Sequence, residues 1–359
     1  MRAKIGEIDE ELLELIADRL AVARRIGAMK VTDGKKVKQP DIEKKVKERV
    51  KKRADELRLP ENQTLEIFSR LIDASVEEQE KVSIALKDRK PIGKCVIYGG
   101  TGGMGKLLAE LLHNCGYGVT IARSSGSVLQ YPGNEKSVIP IDADFSIVSV
   151  HMRYSPDTIV KASSQVPGKK IYEICSMKNH LKGAISRANK SGSEVISLHP
   201  MFGPGIRALR NRPVIFCGEP DQFKEDPLWK AFESEGAKML TLPFESHDRI
   251  MSYILQFTHA VNIIYFTVLC NSGIDIKLLQ LAASPICSRQ ILNAKTVAQQ
   301  DPQLYFEIQH LSEHLGRMYE ELGMAQAELI EALASDSGVK FKELMEKGKK
   351  YFEGGGKSG

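Results

Sequence analysis

The run Gly99-Gly100-Thr101-Gly102-Gly103-Met104-Gly105 constrains this chain more than any other stretch. It follows a short apolar segment, Cys95-Val96-Ile97-Tyr98, and opens a helical pattern from Met104 to Cys115. Gly100 to Gly105 fits G-x-G-x-x-G. The first glycine permits a tight turn, the second lets a pyrophosphate approach the backbone, and the third lets helix pack on strand. The helix N-terminus then turns its amide donors and positive dipole end toward the phosphates. A strand, this turn and a helix in that order predict a dinucleotide-binding βαβ unit.

The end of the next apolar run, Val119-Thr120-Ile121-Ala122, carries Arg123-Ser124-Ser125 where a carboxylate would bond the ribose hydroxyls of NAD. Arginine beside hydroxyls suits a 2′-phosphate, so NADP is preferred over NAD. The candidate cofactor residues are Gly100, Thr101, Gly102, Gly103, Met104, Gly105, Arg123 and Ser124.

Further strands are expected at Phe145–Val150, Lys170–Cys175, Glu194–Leu198 and Pro213–Cys217, with helices between several of them, which implies a parallel sheet. From about Ser246 the pattern is helical up to Phe352. Ahead of the sheet, residues 1–90 read as three helices. Ile5, Ile8, Leu12, Leu15, Ile16, Ala23 and Ile26 recur at helical spacing, a Gly34-Lys35-Lys36 turn follows, and Gln39-Pro40-Asp41 opens the second helix. Leu59-Pro60-Glu61-Asn62 breaks the chain, Leu65, Phe68, Leu71, Ile72, Val76, Val82 and Leu86 mark the third helix, and Asp88 to Gly93 is a linker. The expected divisions are 1–90, 94–245 and 246–353, with 354–359 a flexible tail or the stump of a linker.

Composition closes off several classes. The 359 residues are 42% hydrophobic, and the six cysteines show no paired spacing, which argues for reduced thiols in a cytoplasm and against a zinc site or disulfides. The most apolar stretch, Ile250 to Cys270, is interrupted by Ser252, Gln256, Thr258, His259 and Asn262, so a buried helix suits it better than a membrane span. The net charge of +5 is a mild excess, and the basic run from Lys35 to Arg53 is interspersed with acids. It reads as a solvated face rather than a nucleic-acid footprint.

His199, in Ser197-Leu198-His199-Pro200-Met201-Phe202-Gly203-Pro204, falls near a strand's carboxyl end, where open α/β sheets hold ligands. Ser176, in Ile174-Cys175-Ser176-Met177-Lys178-Asn179, ends the preceding strand and stands where it could orient the imidazole. H-P-M-F-G-P, the S-x-K-N segment and the glycine turn together resemble the prephenate dehydrogenase family. Ser284-Pro285-Ile286 and Ala298 to Tyr305 resemble its helical dimerisation domain. The resemblance implies oxidation of prephenate to 4-hydroxyphenylpyruvate, with His199 taking the ring hydroxyl's proton, Ser176 holding His199, and His259 lining the substrate pocket. Where that family places an arginine for a prephenate carboxylate, this chain has Thr296; Lys295 or Arg289 is the expected substitute.

In the first ninety residues, Arg19 and Lys30 share the inner face of the first helix, and Ser75 and Gln79 continue the apolar stripe of the third. Polar groups on a core stripe cost free energy unless partnered. The spacing resembles the all-helical chorismate mutase family, onto whose pattern Arg2, Arg19, Lys30, Glu43, Ser75 and Gln79 fall without gaps. Members are intertwined dimers, so Arg2 would enter the partner subunit's site. Arg2 and Arg19 would hold the carboxylates of chorismate, Lys30 and Gln79 would donate to its ether oxygen, and Glu43 would take its ring hydroxyl. Gln39 and Ile42 replace an aspartate and an arginine of that pattern, so either the mutase is slowed or a nearby lysine, such as Lys38 or Lys45, compensates for the lost cation.

The two resemblances support each other, since the mutase's product is the dehydrogenase's substrate. The expected protein is a three-helix mutase domain, a Rossmann domain and a helical dimerisation domain: a bifunctional, homodimeric, cytoplasmic enzyme of tyrosine biosynthesis. It needs no metal, membrane or nucleic acid, and feedback by tyrosine is left open. The alternatives are an arogenate or cyclohexadienyl dehydrogenase whose N-terminal helices only regulate or dimerise, and another NADP-linked reductase of the β-hydroxyacid or imine type.

Overall fold

The computed structural model describes residues 2–32, 40–86, 91–133, 137–206, 209, 211–334 and 337–355. The expected turn at Gly34-Lys35-Lys36, together with Lys38, Gln39 and the first half of the 88–93 linker, lies outside them. The chain forms two compact units, Met1–Phe244 and Glu245–Gly359.

The first unit opens with α1 (Arg2–Thr32), α2 (Pro40–Glu56) and α3 (Glu61–Leu86). The second half of α1 is the packed half: Ala21, Ala23 and Ala28 are buried, together with Val50 and Ala54 of α2 and Ile72 of α3. Small residues bring these helices close. A Cβ at Gly27 would sit 2.7 Å from the Cα of Gln79, so α1 and α3 touch backbone to backbone there. The first half of α1 leaves Ile5, Ile8, Leu12 and Leu15 exposed.

An eight-stranded sheet follows, built from β1 (Lys94–Tyr98), β2 (Gly118–Ala122), β3 (Val128–Tyr131), β4 (Phe145–Val148), β5 (Lys170–Glu173), β6 (Glu194–Pro200), β7 (Pro213–Cys217) and β8 (Lys238–Leu242) in the order β3-β2-β1-β4-β5-β6-β7-β8. The central strands β2, β1, β4, β5 and β6 run parallel, and β4 is buried along its whole length, as covering by helices on both faces requires. Those helices are α4 (Gly103–Asn114), α5 (Ser155–Gln165), α6 (Lys182–Lys190) and α7 (Pro227–Ser234). The sheet is mixed rather than parallel throughout: β3 is antiparallel to β2, and β7 to β6. The sequence pattern missed β3 and β8, short edge strands whose half-exposed residues lack the continuous apolar run of a buried strand. The strands expected to reach Val150 and Cys175 stop at Val148 and Glu173, where the chain leaves the sheet to form loops.

The second unit is helical: α8 (Phe244–Met251), a π-helical turn at Ser252–Phe257, α9 (Thr258–Asn271), α10 (Ile276–Ala282), α11 (Pro285–Ala298), α12 (Pro302–His310), α13 (Leu315–Leu333) and α14 (Val339–Lys350). Ser284 and Asp301 cap α11 and α12 through their side chains, each followed by a proline preset for the first helical turn. The apolar stretch from Ile250 is helical but is not the buried helix expected from its composition. Its buried residues are Met251, Ser252, Gln256, His259, Ala260 and Asn262, mostly polar, whereas Ile254, Phe257, Ile264 and Val268 are exposed. The stretch from Phe244 to Asn271 is long and apolar enough to cross a membrane by length and composition, with 22% of its apolar window buried.

Candidate functional site

The glycine turn joins β1 to α4. Its left-handed residue is Gly99, φ +81, whose Cβ would lie 2.2 Å from the Ser149 carbonyl oxygen. The tight turn therefore falls one position before the glycine expected to make it. Gly100 serves close packing instead, since a Cβ there would meet the Ile121 side chain at 2.8 Å. Gly105 lets α4 rest on the turn, 2.3 Å from the Gly99 oxygen by the same measure. Gly102 is exposed at the N-cap of α4 with no side chain capping the helix, so its first amides are free to receive an anion. Thr101 is exposed and Met104 packs against the core. Gly103 has a role its place in the motif hides: its Cβ would strike Pro204 at 2.6 Å. Pro204 closes the His199 hexapeptide, so the two motifs lie against each other.

At the end of β2, Arg123 and Ser124 are exposed in a turn closed by Arg123 N–H donating to the Ser127 carbonyl at 2.9 Å. No ion pair engages the Arg123 side chain among the described residues.

His199 is buried within β6, one residue from its end. The register pairs Glu173 of β5 with Ser197 of β6, so Ser176 and His199 leave adjacent strands at one end of the sheet. The framework there includes Lys178, fully buried, whose Nζ donates to Glu173 at 2.7 Å and to the Leu198 carbonyl at 2.8 Å. Glu173 also accepts from the Cys175 amide at 2.8 Å. Burial works against the charge on Lys178, but Glu173 outweighs it and the pKa stands above the ordinary lysine range. This pair fixes both the Ser176 loop and the residue before His199. The sequence pattern showed Lys178 only as a letter of S-x-K-N and did not indicate its burial.

The three helices enclose a separate cavity of about 110 Å³ lined by Arg19, Lys30, Ile42, Glu43, Ser75 and Gln79 among others. Lys30 Nζ donates to Gln79 Oε1 at 2.9 Å, which leaves the Gln79 amide NH₂ as a donor. Ser75 donates to the Leu71 carbonyl at 2.7 Å, so its oxygen can serve a ligand as acceptor. Burial lowers the Lys30 pKa and Glu43 opposes it. Arg19 Nε and Glu43 Oε1 are buried with no hydrogen-bond partner among the described residues. A native fold seldom leaves such atoms orphaned without a use. Arg2 begins α1, its side chain outside the described residues. On its other side α1 meets the sheet domain, where Arg25 makes a two-pronged pair with Glu110 of α4 at 2.9 and 2.8 Å.

In the second unit, His259 stacks on Tyr305 with ring centroids 4.1 Å apart. Burial pushes its pKa down to about 4, so it is neutral at ordinary pH, and its Nδ1 is buried without a partner. Asn262, one turn along α9, accepts from Gln290 of α11 at 3.2 Å. Arg289 and Lys295 are exposed on α11, as is Thr296, whose hydroxyl donates to the Leu292 carbonyl at 2.9 Å. Among the described residues no group of His, Cys, Asp and Glu could hold a metal ion.

Two family profiles match: type II chorismate mutase over residues 1–80, and the prephenate dehydrogenase dimerization domain over residues 243–347. The chorismate mutase of Methanocaldococcus jannaschii is 36% identical over 73 residues, which span 20% of this chain and 74% of that protein. The T-protein of Enterobacter agglomerans is 26% identical over 337 residues, 91% of this chain and 86% of that one. The chain belongs to the bifunctional chorismate mutase–prephenate dehydrogenase family. Its helical cavity thus lies in the mutase part, and the glycine turn and His199 lie in the dehydrogenase part. A fold likeness agrees: a solved prephenate dehydrogenase from A. aeolicus, in complex with hydroxyphenyl propionate and NAD+, aligns with TM-score 0.56 at 16% identity, covering 74% of this chain and 99% of that one.

Proposed function

We propose that the helical cavity and the His199 loop are the two active sites of this bifunctional enzyme. The chain carries an isomerase, converting chorismate to prephenate, and an oxidoreductase, converting prephenate to 4-hydroxyphenylpyruvate in tyrosine biosynthesis. The observation that carries the site assignment is the cavity itself, whose buried Arg19 and Glu43 atoms lack partners while Lys30 and Gln79 hold each other in place. A Claisen rearrangement needs no nucleophile or proton relay. It needs a pocket that selects the compact conformer and places donors at the breaking ether oxygen. Lys30 Nζ and the free Gln79 amide are those donors, Arg19 and the partner's Arg2 hold carboxylates, Ser75 accepts a hydrogen bond, and Glu43 takes the ring hydroxyl.

In the dehydrogenase the cofactor is a nicotinamide dinucleotide. The Gly100–Gly105 turn and the first α4 amides would hold it, and bound there it would supply the hydride acceptor. The glycines fit it: Gly102 is solvent-exposed, with only the Gly99 oxygen close to where its Cβ would stand, and Gly100, Gly103 and Gly105 are packed against by protein. His199 accepts the ring hydroxyl's proton as hydride departs and carbon dioxide leaves. Ser176, at the same end of the sheet, orients substrate or imidazole, and His259 with Lys295 or Arg289 recognises prephenate. NADP is favoured over NAD, because Arg123 and Ser124 offer a cation and a hydroxyl with no carboxylate beside them. An Arg123→Ala enzyme should then raise KM for NADP several-fold and leave KM for NAD nearly unchanged; equal shifts would return the preference to NAD.

The working domains are 1–90, 94–245 and 246–353. A homodimer is supported by the exposed apolar residues of α1 and α9 and by the dimerization-domain match. Six free cysteines suit a cytoplasmic setting. The deciding assay supplies chorismate with NADP or NAD and follows reduced nicotinamide. Signal from prephenate but none from chorismate would remove the mutase, and silence with both would remove the whole reading.

A further inference from the structure

The mutase cavity is short of a cation, and α2 shows where one comes from. Ile42 lines the cavity where the family pattern has arginine, and it stays 52% exposed. Of the lysines expected to compensate, Lys38 lies outside the described residues, and Lys45 is exposed and absent from the cavity wall. Arg49 follows Ile42 by seven residues, two turns along the same stripe of α2, and Val46 of the cavity wall lies between them. Helical side chains lean toward the helix N-terminus, so a long one at position 49 reaches back over Val46 toward the cavity. Arg49, like Lys45, is exposed and outside the cavity wall, and it makes no hydrogen bond or ion pair among the described residues. What sets it apart is its place on the Ile42–Val46 stripe and its charge, which acts on Arg19.

Arg19 stands on the facing helix. Burial lowers its pKa, and the Arg49 charge lowers it further. The Arg49 charge is thus felt at Arg19, beside a cavity in which Arg19 Nε has no acceptor among the described residues. Like charges acting on each other in this way suit a site that is completed by an anion. We infer that Arg49 supplies the cation Ile42 does not, binding a carboxylate of the mutase's dianionic substrate together with Arg19. The inference rests on the mutase assignment above.

The test uses the full-length enzyme and both reactions. Arg49→Gln should raise KM for chorismate about tenfold, the worth of one charge-assisted hydrogen bond, with a smaller change in kcat. Arg49→Lys should fall between it and the native enzyme, because a point charge keeps attraction but loses the fork. Ile42→Arg placed in the Arg49→Gln background should recover most of the affinity. Turnover of prephenate in each variant reports whether the fold is intact. A KM for chorismate within twofold of native in Arg49→Gln overturns the inference, as does an equal fall in both activities. A native enzyme inactive on chorismate would instead overturn the mutase assignment on which it stands.

Discussion

The two sites of the first unit are built on opposite plans. Around His199 the strand ends are tied by an internally paired framework: Lys178, Glu173, the Cys175 amide and the Leu198 carbonyl answer one another, and the glycine turn is closed by backbone contacts. The helical cavity is not so paired, for Arg19 and Glu43 keep buried atoms without partners among the described residues. The difference follows the chemistry. Proton and hydride transfer demand a fixed geometry for one imidazole and one cofactor, which a paired scaffold provides. A rearrangement without covalent catalysis demands complementarity to one charged conformer, and that complementarity is visible as polar atoms awaiting it.

The sharpest way to break the comparison is to remove the reacting group of one plan. His199→Asn should cut dehydrogenase turnover by about 10²–10⁴-fold while mutase turnover stays within twofold. Matching losses, measured on chorismate and prephenate separately, would mean the sites are not independent. Next comes the scaffold. Lys178→Met leaves Glu173 buried without its cation and should cost about 3–5 kcal/mol of stability, seen as a lowered urea midpoint. Adding Glu173→Gln should recover much of it; no recovery would deny that the ion pair is what matters.

Gly27→Ala probes the other plan. The added methyl meets the Gln79 backbone, so α1 and α3 must part, at about 1–3 kcal/mol, and Lys30 loses its register with Gln79. Mutase kcat should fall and prephenate oxidation should not, so an unchanged mutase would show that the helix spacing is not what sets the cavity.

The smallest effect comes from His259, whose pKa burial lowers from 6.5 to about 4. Because the folded value is below the unfolded one, protons bind the unfolded chain more readily. The stability tied to the neutral ring is complete above 6.5 and drains away as pH falls from there toward 4. Urea midpoints of native and His259→Gln enzyme should therefore converge on acidification, and parallel curves would contradict the burial of that ring.

Much of this was readable from spacing alone. His199 stood out because a histidine followed by proline ends an apolar run, and Arg19, Lys30, Ser75 and Gln79 stood out as polar letters on helical stripes. The glycine turn was legible as a motif but not residue by residue, since φ at Gly99 and the approach of Pro204 to Gly103 depend on what the turn packs against. Lys178, which frames the strand end beside Ser176, was not legible, because nothing in S-x-K-N distinguishes a solvated lysine from a buried one. The apolar stretch after Ile250 was read as buried on hydropathy, yet its polar side faces inward.

Local periodicity and turn chemistry determined the order helices, strand–turn–helix sheet, helices, and with it the class of each site, because both depend on neighbours within a few residues. Only the tertiary structure decided which charges meet, Lys178 with Glu173 and Arg25 with Glu110, and that the Arg49 charge is felt at Arg19. Those encounters join or approach across separate loops and helices, and the free energy of a charge is set by what burial places beside it.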